Sequence, residues 1–79
     1  MGLFRLFRPN IEELKARRDV KGLIKALGDS DMGVRENAAW ALGEIGDPRA
    51  FDVLSELVHD EYEQVRKAAR DALRKLKPD

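Results

Sequence analysis

Two stretches of this chain repeat one another at a fixed distance. From Val34 the sequence reads V-R-E-N-A-A-W-A-L-G-E-I-G, and from Val65 it reads V-R-K-A-A-R-D-A-L-R-K-L-K. Val34/Val65, Arg35/Arg66, Ala41/Ala72, Leu42/Leu73 and Ile45/Leu76 all match at an offset of 31 (65 minus 34), and Leu23/Leu54, Leu27/Val58 and Asp29/Asp60 keep it upstream. Apolar residues inside each unit recur at helical spacing. A helical unit of this length cannot bury its own apolar face, so it must stack on its neighbours into a solenoid. Chains built this way work mainly as binding surfaces, which already argues against chemistry.

Punctuation divides the units. Gly46 is placed to end a helix, and Pro48 follows where the first turn of the next helix tolerates a missing N–H. Asp29-Ser30-Asp31 offers N-cap oxygens, and Asp60 opens the equivalent break one unit later. The pattern predicts helices over Val20–Leu27, Met32–Ile45, Arg49–Val58 and Glu61–Leu76. Asn10 with Glu13 has the form of a capping box and predicts a further helical piece over Ile11–Arg17. In the 31-residue register Ile11 stands opposite Leu42 and Leu73, and Leu14 opposite Ile45 and Leu76. Leu3 and Phe7 extend the same stripe across Pro9.

The expected fold is therefore all-α: an α-α solenoid of two full repeats (residues 19–46 and 47–79) behind a degenerate N-terminal helical cap (residues 1–18), in one domain. Ala39, Gly43 and Gly46 in the first repeat become Arg70, Arg74 and Lys77 in the second. Large charged side chains thus stand where a further repeat would dock, marking the last helix as a terminal cap.

The string L-x-D-x-x-x-x-V-R-x-x-A-A-x-A-L-G-x-I-G-D-x-R-A runs from Leu27 and Asp29 through Val34, Arg35, Ala41, Leu42, Gly46 and Asp47 to Ala50. It resembles the HEAT-like repeats of the phycocyanobilin-lyase type, which are common in archaeal proteins. The resemblance covers about Val20 to Leu76. It implies paired antiparallel helices in a right-handed superhelix, with the second helix of each pair lining a concave face. It also implies that a turn Asp and an Arg six residues later tie neighbouring repeats, positions that fall on Asp29 with Arg35 and on Asp60 with Arg66. Deoxyhypusine hydroxylases use this architecture to hold iron through His-Glu pairs. One histidine, His59, cannot build such a site, and bilin lyases need many more repeats. Neither activity carries over.

On a helix turning about 100° per residue, Val34, Ala38, Ala41, Leu42 and Ile45 fall in one narrow arc. Trp40 points away from that arc, beside Glu36, Asn37 and Glu44. Its second-repeat counterpart is Asp71, flanked by Lys67, Ala68 and Lys75. Glu36, Asn37, Trp40, Glu44, Lys67, Asp71 and Lys75 form the candidate protein-binding strip, since Trp is the residue most enriched at binding hot spots. The competing expectation has Trp40 shielded beneath the N-terminal piece, packed on Phe4 or Phe7.

Nothing in the residues points to catalysis, a cofactor or a bound metal. His59 reads as a turn residue, and Glu12/Glu13 and Glu61/Glu63 as helix-start charges that answer the dipole. There is no cysteine, which removes thiol and zinc-thiolate chemistry and fits a cytoplasmic setting. The first residues are too short and too charged for a signal peptide or membrane span. Charged residues make up 38% of the chain and threonine is missing, a composition that leans toward a thermophile. Residues 1–25 carry net +4, residues 26–64 net −8 and residues 65–79 net +4. The basic ends have no interleaved aromatics, so nucleic acid is disfavoured and like-charged ends read as a guard against end-to-end polymerisation. The expected function is a non-enzymatic interaction module for another protein, monomeric. The alternatives are a homodimer joined through Leu3, Phe4, Leu6 and Phe7, and an accessory role in cofactor-protein maturation.

Overall fold

A computed structural model describes residues 9–76. The expectations placed on Leu3, Phe4, Leu6, Phe7 and Lys77 lie outside those residues. Among the described residues five α-helices follow one another: α1 (Ile11–Ala16), α2 (Val20–Ala26), α3 (Met32–Ile45), α4 (Phe51–Leu57) and α5 (Glu63–Leu76), with a 3-10 turn over Pro48–Ala50 leading into α4. The described residues form an α solenoid of about two repeats, with α2 paired to α3 and α4 to α5. α3 and α5 pack side by side, and α1 lies against the other flank of α3.

Side chains at the helix starts explain the boundaries. Asn10 Oδ1 accepts from the Glu13 N–H at 3.0 Å, and Asp19 Oδ1 from Gly22 N–H at 2.9 Å. Asp31 and Asp47 do the same for Gly33 and Arg49 at 2.7 and 2.8 Å. Each bond satisfies a backbone donor that the first helical turn leaves without a partner. Two starts differ from the sequence expectation. Ala50 N–H bonds back to the Asp47 carbonyl at 3.1 Å, so the residues after Pro48 wind as a tight turn and α4 opens at Phe51. The Asp60 carboxylate takes the Tyr62 N–H at 3.0 Å, which holds the chain in a turn and delays α5 to Glu63.

The ends are equally local. Gly46 ends α3 in the left-handed region at φ 77°, its N–H reaching the Leu42 carbonyl. α1 ends in the same region without a glycine, at Arg18 with φ 55°. There Arg18 N–H bonds Lys15 O and Asp19 N–H bonds Leu14 O, the paired bonds of a Schellman cap.

Leu23, Leu42, Leu54 and Val65 are the largest fully buried side chains, and alanines fill the space between them. Ala38, Ala39, Ala41 and Gly43 line α3 where its neighbours press closest. A Cβ at Gly43 would stand 2.8 Å from Ala72 Cα and 2.9 Å from Ala72 Cβ. The α3–α5 distance is therefore set by a missing side chain. Among the described residues, no buried side-chain N or O atom lacks a hydrogen bond.

A candidate binding strip across three helices

Two features of the fold bear on function, and the first is a lock between repeats. Arg35 Nε and Nη2 donate to the two Asp60 oxygens at 2.9 and 3.2 Å, while Nη1 donates to the Asp29 carbonyl at 2.8 Å. Both side chains are nearly enclosed, 12% and 9% exposed. A two-pronged guanidinium–carboxylate contact of this kind is stronger and more directional than a neutral hydrogen bond. Burial alone pushes the Asp60 carboxyl upward, but the Arg35 hydrogen bond and the Tyr62 N–H outweigh it and hold the group below its ordinary value.

The lock joins the Arg of one repeat to the Asp of the next, a separation of 25 residues. Within a repeat the contact is to a backbone carbonyl: Arg66 Nη1 reaches Asp60 O at 2.8 Å, as Arg35 reaches Asp29 O. The two outer members have no cross-repeat partner among the described residues. Asp29 accepts from the Asp31 N–H at 2.9 Å, and Arg66 turns its free prong to Glu63 at 2.7 Å.

The second feature is the face shared by α1, α3 and α5. Trp40 lies at its middle, 52% exposed. Glu36, Asn37, Lys67 and Asp71 join Trp40 in lining an open groove of about 480 Å³ between α3 and α5. At its foot Lys75 Nζ donates to Glu44 Oε2 at 2.9 Å. All seven strip residues therefore belong to one face. Lys75 follows Glu44 by 31 residues, so stacking sets equivalent positions of adjacent helices beside each other.

Periodicity did not reveal the other half of the face. Ile11, Glu12, Lys15 and Ala16 of α1 meet Asn37, Trp40 and Ala41 around a groove of about 510 Å³. The Lys15 ammonium lies 4.5 Å from the centroid of the Trp40 ring, within cation–π range. The same ammonium stands 3.9 Å from Glu44. Glu44 thus faces a lysine from each neighbouring helix, and the Lys75 hydrogen bond holds its carboxyl below the ordinary range. The usable signal was the register: Lys15 falls opposite Gly46, two residues from Glu44.

Trp40 is half exposed beside α1, which does not bury it; the Phe4 and Phe7 of the shielding expectation lie outside the described residues. Among the described residues two other large apolar groups are exposed, Phe51 at 48% and Tyr62 at 44%. Phe51 opens α4, in the other helical layer, and the Tyr62 ring lies 5.9 Å from the Arg35 guanidinium. His59 sits exposed in the turn after α4. No helix among the described residues is long and apolar enough to cross a membrane.

A search of curated proteins gives no match to this chain. A family model of HEAT repeats matches residues 10–74. Such repeats commonly mediate protein–protein interaction and generally act as non-enzymatic scaffolds. The match takes in both α2–α3 and α4–α5 as well as α1, and the chain belongs to the HEAT-repeat family.

Proposed function

We propose that the protein is a small, non-enzymatic binding module that presents the α1–α3–α5 face to another protein. The observation that carries this reading is Trp40: a half-exposed indole between two open grooves, rimmed by charged and amide side chains. An apolar anchor inside a polar rim is the usual anatomy of a protein-binding hot spot. The shape of the grooves favours a chain over a small molecule. Their volumes fall in the range of small-ligand pockets, roughly 300–1,000 Å³, but such pockets enclose most of their ligand. In this reading residues 1–18 cap the stack, residues 19–46 and 47–79 are its two repeats, and the module works as a monomer in the cytoplasm.

Affinity capture with three forms of the protein tests it. A protein retained by the wild type and by Phe51→Ala, and lost with Trp40→Ala, is the expected result. Trp40→Ala should weaken that contact by about 2 kcal/mol or more and change stability by less than about 1 kcal/mol. A set of retained proteins indifferent to Trp40→Ala overturns the reading. Red-shifted, readily quenched emission from the single tryptophan should accompany it.

A further inference from the structure

The charges of the strip divide into those matched inside the chain and those left over. Glu44 is shared by Lys15 and Lys75, and Asp71 pairs with Arg74. Among the described residues Glu12, Glu36 and Lys67 make no ion pair, so two carboxylates stand against one ammonium. Both carboxylates line a groove that Trp40 also lines. Glu12 shares the α1–α3 groove with Trp40, and Glu36 lies one helical turn before Trp40 on α3 and lines the α3–α5 groove. Asn37, which lines both grooves, has no side-chain hydrogen bond within the described residues.

The indole face already receives a cation from inside the chain. Lys15 lies over it, and among the described residues its one ion pair is a 3.9 Å approach to Glu44. A guanidinium is planar and more weakly hydrated than an ammonium, and it stacks better on an aromatic face. An incoming arginine can therefore displace Lys15 or take the opposite face, and each groove beside the indole is lined by one carboxylate without an ion pair among the described residues.

We infer that the strip selects a basic peptide segment, with an arginine side chain stacked on Trp40 and its charge answered by Glu12 and Glu36. This rests on the reading of the α1–α3–α5 face as a binding surface and adds the sign of the charge it prefers. Lys67, on the α5 wall, opposes the incoming cation and limits affinity. The open grooves accept flanking backbone on either side of the anchor.

Three heptapeptides that alternate glycine with arginine, glutamine or glutamate are titrated into the full chain while Trp40 emission is followed. The arginine peptide should saturate at roughly tenfold lower concentration than the glutamine peptide, with the glutamate peptide weakest. The double substitution Glu12→Gln/Glu36→Gln should weaken arginine-peptide binding about threefold or more and leave the glutamine peptide unchanged. Lys67→Gln should tighten the arginine peptide. Far-UV circular dichroism confirms that each variant keeps its helices. Glutamate-peptide binding as tight as arginine, or arginine binding indifferent to the double substitution, overturns the charge preference and leaves the binding surface standing. If no peptide moves the Trp40 signal, both readings fall. Emission that changes with protein concentration alone assigns the face to a second copy and overturns the proposal.

Discussion

α3 and α5 are helices of equal length, 14 residues each, that match position by position across the repeat. They differ in their surroundings. Among the described residues α3 packs against α1, α2 and α5, whereas α5 packs mainly on α3 and α4. Their compositions follow. α3 is apolar or small almost all round, and α5 is strongly one-sided. Ala39 is fully buried while its counterpart Arg70 is 51% exposed. Gly43 touches Ala72, while its counterpart Arg74 is 72% exposed and pairs with Asp71. The motif fixes the helix and the stack fixes the residue: identical register positions carry opposite chemistry because, among the described residues, only one of them meets a neighbour.

That contrast can be broken by paired substitutions. The largest difference is expected between Leu42→Ala and Leu73→Ala. Leu42 is fully buried and Leu73 only partly, so the first should cost about 3–5 kcal/mol and the second about half as much. Urea denaturation measures both, and equal losses would mean that α5 is as enclosed as α3.

Gly43→Ala comes next. Its new Cβ meets Ala72 backbone with no flexible side chain to give way, so α3 and α5 must separate at a cost of about 1–3 kcal/mol. Arg74→Ala, at the matching position, should change the midpoint by less than about 0.5 kcal/mol. A harmless Gly43→Ala would show that the close approach is not needed.

Arg35→Ala should cost about 1–3 kcal/mol, and Arg66→Ala less, because only Arg35 holds a carboxylate of the next repeat. Acid sharpens this pair. Asp60 is held below its ordinary value, so its contribution is complete above the unfolded carboxylate range, near pH 4, and is lost as pH falls through the folded value. Wild type should therefore lose more stability on acidification than Arg35→Ala does. Parallel acid profiles would remove the lock from the account.

The smallest effect concerns Glu44, which faces a lysine on each side but in solvent. Glu44→Gln should leave the thermal midpoint unchanged at physiological salt, since exposed pairs are screened there. A clear loss would mean that this charge row braces the three helices.

Periodicity exposed the helices because it records which side of each is buried, and that is a local property of spacing. Boundaries were less legible where a side chain competes with the backbone. Asp60 draws the Tyr62 N–H, and Pro48 brings a tight turn, and both trim helices that spacing alone extends. The strip residues on α3 and α5 could be grouped because the offset places them side by side. Lys15 over Trp40 was harder to read, since α1 keeps the 31-residue register but not the motif, and the register places Lys15 opposite Gly46 rather than Trp40. The Arg35–Asp60 pairing needed the stack itself: within one repeat, Arg35 and Asp29 look like natural partners, yet the Asp29 carboxylate is not what Arg35 holds.

The internal register makes the chain extensible in steps of its own length. Ala41 occupies on α3 the position that Ala72 holds on α5, and both are buried. The surface that receives Gly43 is therefore already present on α3, and Asp29 stands where Asp60 receives Arg35. Inserting a second copy of one 31-residue period ahead of α4 would set Gly43 of the first copy against Ala41 of the next, and Arg35 against Asp29. Each insertion would lengthen the face by one helix while Arg70 and Arg74 stay exposed on α5. A helical face of this kind can grow by duplication without a new interface having to arise.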